Sequence, residues 1–142
     1  MPFLLDTNAC IALINGTEKA VRDRFNDACA ANEPIGVSSI AEFELWYGVS
    51  KSARRERNAD RLRTFFRGPL EVLPLDSEDA EVAGSIRAEL ESKGRPIGPY
   101  DILIAGQALR RRLTLVTANH AEFSRIKNLD WINWAETNRR RR

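Results

Sequence analysis

Cysteine and histidine are nearly missing: two Cys (Cys10 and Cys29) and one His (His120) in 142 residues. That is too few for a disulfide scaffold, and with no CxxC pair a zinc site of Cys and His lacks its ligands. Both cysteines fall within helical patterns, where buried reduced thiols are the default expectation. Proline is scarce at six residues, and 43% hydrophobic against 30% charged composition is that of a folded chain. No apolar run approaches the ~20 residues that span a bilayer. The first apolar run has no basic residues ahead of it and stops at Asp6, so a secretory leader is not expected and a cytoplasmic location is. P-loop, GxGxxG and Gly-x-Ser-x-Gly patterns are missing as well, which removes the usual support for nucleotide binding or acyl chemistry. Finally, no charge sign dominates: a formal net charge of +2 permits a nucleic-acid partner without demanding one.

What is present reads as one domain over 1–137 with a basic, flexible tail at 138–142. Phe3 to Leu5 predicts a buried strand, followed by a helix near Asn8 to Ile14 that Asn15-Gly16 closes. A second helix fits Glu18 to Ala31, a strand Pro34 to Val37, and a third helix runs from Ser39 to about Ser50. A charged stretch from Lys51 to Arg57 leads into a fourth helix that ends at Gly68-Pro69. Leu70 to Leu73 reads as a strand and Ser77 as the N-cap of a fifth helix reaching Gly94. A sixth helix spans Tyr100 or Asp101 to Arg112, with Pro99 suited to its first turn. Strands follow at Leu113 to Val116 and Leu129 to Ile132. Strands alternating with helices imply an α/β fold, a mostly parallel sheet of four or five strands covered on both faces.

Several acids sit where a purely structural sequence would not put them. Asp6 ends the first strand beside a helix start, at the sheet edge where α/β proteins bind ligands, although Asp is also a favoured N-cap. Glu42 stands three residues after Ser39 and fits a capping box. Glu44 has no such role, and its helical neighbours Ile40, Ala41, Tyr47 and Gly48 are apolar or small. Asp101 shares its helical row with Ile104, Ala105 and Ala108, so it needs an Arg partner or a cation. After the fourth strand, Asn119 can supply a neutral oxygen ligand or form a turn, and His120 reads more readily as a surface residue than as a ligand. Acids without Cys or His support select hard cations, Mg²⁺ with Mn²⁺ as substitute, and a phosphodiester is their natural substrate. Basic runs at Arg54 to Arg57, Arg110 to Arg112 and Arg139 to Arg142 could hold a polyanion around them, against solvated helix faces as the plain alternative.

At these residues the sequence resembles a known family. Leu4-Leu5-Asp6-Thr7-Asn8, Ser38-Ser39-Ile40 with Glu44-Leu45-Trp46-Tyr47-Gly48, Gly98-Pro99-Tyr100-Asp101 with Ile104-Ala105-Gly106, and Val116-Thr117-Ala118-Asn119 with Glu122-Phe123 look like the successive motifs of PIN-domain ribonucleases. The likeness is closest to VapC toxins of bacterial toxin–antitoxin pairs. It implies a three-layer α/β/α domain, Mg²⁺-dependent endonuclease cleavage of RNA, and Asp6, Glu44 and Asp101 as the metal-binding acids. Asn119 falls where many members carry a fourth acid. The resemblance also implies a homodimer and a VapB-type antitoxin that blocks the acid pocket. The Gly98-Pro99-Tyr100-Asp101 version is similar to members that cut initiator tRNA in the anticodon loop. Two readings compete: a phosphohydrolase using Asp6 as nucleophile, and a non-catalytic RNA-binding or interaction module whose acids accept a partner's arginines.

Overall fold

The computed structural model describes residues 1–136 and 140–141. Its centre is β1 (Phe3–Leu5), a fully buried apolar strand of the kind that only a sheet covered on both faces accommodates. Asp6 then caps α1 (Thr7–Asn15), its Oδ1 accepting from the Ala9 amide at 2.7 Å, and Gly16 ends that helix in the left-handed region at φ 63°. The chain continues through α2 (Lys19–Ala30), β2 (Ile35–Ser38), α3 (Ser39–Lys51), α4 (Arg55–Phe66) and β3 (Glu71–Leu73). It then forms α5 (Ser77–Ser92), α6 (Pro99–Arg111), β4 (Thr114–Val116), α7 (His120–Phe123), β5 (Trp131–Ile132) and β6 (Arg140–Arg141).

The strands lie in the order β3-β2-β1-β4-β5-β6. The first five run parallel, with Leu5 opposite both Val37 and Val116, and β6 closes the edge antiparallel to β5. Right-handed crossovers to the left and right of β1 fall on opposite faces. The contacts agree: α1, α3 and α4 pack together, and α5 packs along α6. The result is a three-layer α/β/α domain. Strand order reverses between β1 and β4, so the loops after these two strands open a crevice at the carboxyl edge of the sheet.

Three local expectations are corrected. Ser38, not Ser39, caps α3 by accepting from the Ile40 amide, and the Ser39 hydroxyl accepts instead from Leu75 across the loop. The Ser39–Glu42 capping box therefore does not form, although Glu42 stays in the positive first turn of α3. Asp76 rather than Ser77 caps α5, in a reciprocal box with Asp79. Arg110 and Arg111 are not free to embrace a polyanion, because both bind the buried Asp79 carboxylate and Arg110 also binds Asp76. Burial alone would raise the Asp79 carboxyl, but hydrogen bonds from Arg111, the Asp76 amide and Arg110 hold it below the ordinary range. Of the expected basic tail, Arg140–Arg141 pair with β5, while 138, 139 and 142 lie outside the described residues. Cys10 is buried and Cys29 partly so, both as free thiols.

Candidate active site

The crevice edge collects side chains from four elements. Asp6 comes from the end of β1, Glu44 from the second turn of α3, Asp101 from the first turn of α6, and Thr117 follows β4. Pairing of β4 with β1 sets Thr117 beside Asp6, and the Thr117 side chain hydrogen-bonds its carboxylate. Thr7, the first residue of α1, donates through Oγ1 to Glu44 Oε1 at 2.7 Å and so fixes one oxygen of that glutamate across 37 residues of chain.

The electrostatics are unbalanced. Burial raises the Asp6 carboxyl to about 6; hydrogen bonds from Thr117 and the Ala9 amide pull it down, and the charges of Asp101 and Glu44 push it up. Asp101 is also raised to about 6, by burial first and then by the charges of Glu44 and Glu122. Asp6 thus caps α1, the structural reading offered for it, and it also feels the charges of Asp101 and Glu44. Among the described residues no lysine or arginine forms an ion pair with Asp6, Glu44, Asp101 or Glu122, so the Arg partner considered for Asp101 is not found there.

Glu122 stands in the last of the family-like motifs, but the sequence assigns it no role. It lies on the four-residue α7, too short to show periodicity, and it is seen only because its charge acts on Asp101. The one available signal was its spacing from Asn119, whose Nδ2 donates to Glu122 Oε1 at 2.9 Å. Asn119 thus holds a fourth acid in place, while its backbone amide donates to the Thr117 hydroxyl. His120 is exposed, the surface placement expected of it, and stacks on Trp131 with ring centroids 5.7 Å apart. Glu42 shares α3 with Glu44 but has no hydrogen bond of its own to the group among the described residues.

All four carboxylates offer oxygen, the donor type that hard divalent cations prefer. Among the described residues no three Asp, Glu, His or Cys side chains stand close enough together, as placed, to hold a metal ion. The chemistry of the four carboxylates suits such an ion on two counts: their charges act on one another, and no lysine or arginine among the described residues forms an ion pair with them. A dication beside them would favour the ionised form of Asp6 and Asp101 and draw both carboxyls back down. On one side of Glu44 a groove of about 310 Å³ and mixed polarity runs between α1, α3 and α4, past Ile11, Leu45 and Leu62 and past Asn15, Asn58 and Arg61.

Comparison with known proteins gives the chain relatives over nearly its whole length. The family model of the PIN domain matches residues 3–129. The chain is 43% identical over 134 residues to the tRNA(fMet)-specific endonuclease VapC of Salmonella typhimurium, covering 94% of this chain and 98% of that protein. It is 41% identical over 134 residues to Ribonuclease VapC2 of Rickettsia felis, with the same coverage, 94% and 98%. Among solved structures, VapBC2 from Rickettsia felis bound to a DNA fragment from their promoter superposes with a TM-score of 0.88 at 40% identity, covering 94% of this chain and 99% of that one. DNA-bound VapBC from Salmonella typhimurium gives 0.86 at 43%, covering 94% and 98%.

Proposed function

The chain belongs to the PIN-domain family, among its VapC ribonucleases, and from that premise we propose that it is a metal-dependent endoribonuclease acting as the toxin of a toxin–antitoxin pair. The observation that carries the reading is the gathering of Asp6, Glu44 and Asp101 at the strand-order switch, where their charges act on one another and no lysine or arginine among the described residues pairs with them. Asp6, Glu44 and Asp101 would hold Mg²⁺ or Mn²⁺, with Glu122 as a fourth acid. Held there, such an ion would supply Lewis acidity to activate the attacking water and positive charge to offset that building on the phosphate.

The chain's own residues then have separable tasks. Asp6 must be ionised to hold the ion, and the Thr117 and Ala9 hydrogen bonds favour that form. Glu44 has one oxygen fixed by Thr7, which leaves the other to orient the attacking water in line with phosphorus. Asn119 positions Glu122, so its role is one of support rather than contact with the substrate.

The substrate is RNA, and initiator tRNA is the specific target we propose, since a relative 43% identical over nearly its whole length is named for tRNA(fMet). The partner is a VapB-type antitoxin, by likeness to the VapBC complexes, and the working form is a homodimer. Inducing the protein in bacteria with and without a VapB-type gene, and mapping new RNA 5′ ends, tests this. Growth arrest relieved by the antitoxin, with one dominant cut in initiator tRNA, is the expected result. Arrest without any new RNA end would overturn the nuclease reading.

A further inference from the structure

Large apolar side chains left in solvent are few among the described residues, and their placement is uneven. Besides Met1 they are Ile11, Phe43, Tyr47 and Tyr100. Phe43 directly precedes Glu44 and Tyr100 directly precedes Asp101, so two of them flank the acids in sequence. They also meet in space: the rings pack edge to face with centroids 5.5 Å apart, bridging α3 and α6. Phe43 is 52% exposed and Tyr100 45%, so the pair is not a core contact. One turn along α3, Tyr47 is 57% exposed and carries the Lys51 ammonium 5.3 Å from its ring centroid.

Such rings could receive a second copy of the chain or the flat faces of nucleobases, and area separates the two. An aromatic side chain buries 150–250 Å² when fully covered, so three rings at about half exposure present about 300 Å². A stable interface takes about 800 Å² per partner. The patch is therefore too small to hold a dimer by itself but is ample for one or two bases. Its neighbourhood suits a nucleotide: acids for the phosphate's counter-ion on one side, and a lysine on an aromatic face, which attracts the backbone, on the other.

We infer that Phe43 and Tyr100, extended by Tyr47 and Lys51, form a stacking platform that holds one or two unpaired bases of the RNA beside the phosphate to be cut. This deepens the proposed nuclease function and rests on it for the position of that phosphate. An unpaired strand can lay its bases on exposed rings while its backbone passes over the acids, whereas a continuous duplex keeps its bases stacked on one another and offers no free face. The platform thus selects single-stranded loops before any base is read, and stacking of this kind tolerates sequence.

The test separates binding from cleavage. A short single-stranded RNA carrying 2-aminopurine at successive positions is titrated, in Mg²⁺, into the Asp101→Asn protein and into the same protein with Phe43→Leu, Tyr100→Leu or Phe43→Trp. Quenching of 2-aminopurine at one or two adjacent positions is expected in the parent, with affinity falling about tenfold in each Leu variant. Phe43→Trp, which keeps an aromatic face, should restore both. Unchanged affinity and no quenching in the parent would overturn the platform. So would sedimentation showing that Phe43→Leu breaks a dimer into monomers, since the patch would then be a subunit contact. Failure of the wild-type protein to cut RNA strikes the nuclease reading instead, and leaves the binding result to decide the platform.

Discussion

At the scale of single residues, Asp6 does two things that pull in opposite directions. Its Oδ1 caps α1, which stabilises the fold, while its buried charge beside Asp101 and Glu44 works against it. With the carboxyl at about 6 in the folded protein, against an ordinary 3.8, the folded state holds the proton more tightly. The contribution of this group to stability is therefore full below pH 3.8 and is lost as pH rises through 6. Two pH units correspond to on the order of 3 kcal/mol. Asn caps helices about as well as Asp, so Asp6→Asn should raise the melting temperature of metal-free protein by several degrees at pH 7.5 and by almost nothing at pH 3.5. An equal gain at both pH values would show that charge is not the cause.

The named acids were legible because each interrupts a pattern. Asp6 ends an apolar run, and Glu44 and Asp101 occupy rows whose other members are apolar or small. The fold brings the charges of all three within range of one another. Glu122 interrupts nothing, being one polar residue in a polar turn, and only the folded chain shows its charge acting on Asp101.

Among the elements, α5 and α6 pack backbone against backbone at Gly106. A Cβ placed on Gly106 would meet Ala83 Cβ at 2.7 Å and Ala83 backbone atoms at 2.8 Å. The neighbour is a helix backbone, not a side chain that can swing away, so Gly106→Ala must push the helices apart. Overpacking of this kind costs about 1–3 kcal/mol, here set against the better helix propensity of Ala, about 1 kcal/mol. A net loss of stability in urea unfolding is expected, and Gly84→Ala on α5, where a Cβ meets nothing within 4 Å, should instead be neutral or stabilising. A stabilised Gly106→Ala would mean that the helices are not in close contact at this point.

Element type and order follow from hydrophobic period and punctuation, and the helices and strands lie close to where the sequence puts them. Boundaries at caps do not, because two adjacent residues are both competent. Ser38 and Ser39 are equal candidates until the Ser39 hydroxyl is claimed by Leu75, and Asp76 outcompetes Ser77 once Asp79 and two arginines gather around it. The run at Arg110 and Arg111 misled for the same reason. A run of charge looks alike in sequence whether it faces solvent or, like Arg110 and Arg111, ties down a buried aspartate.

For the molecule as a whole, strand order is what turns scattered acids into one site. Short apolar strands look alike in sequence, so nothing in β4 (Thr114–Val116) marks it as the neighbour of β1 (Phe3–Leu5). Yet that pairing sets Thr117 against Asp6, and the reversal beside it opens the crevice. The most direct measurement is single-turnover cleavage of initiator tRNA by the purified protein across a Mg²⁺ titration, for wild type and Asp101→Asn. The account predicts cleavage that is absent in excess chelator, returns with Mg²⁺ or Mn²⁺, and falls at least about 100-fold in Asp101→Asn with the melting curve intact. Cleavage that survives the chelator, or proceeds at the wild-type rate in Asp101→Asn, would contradict it.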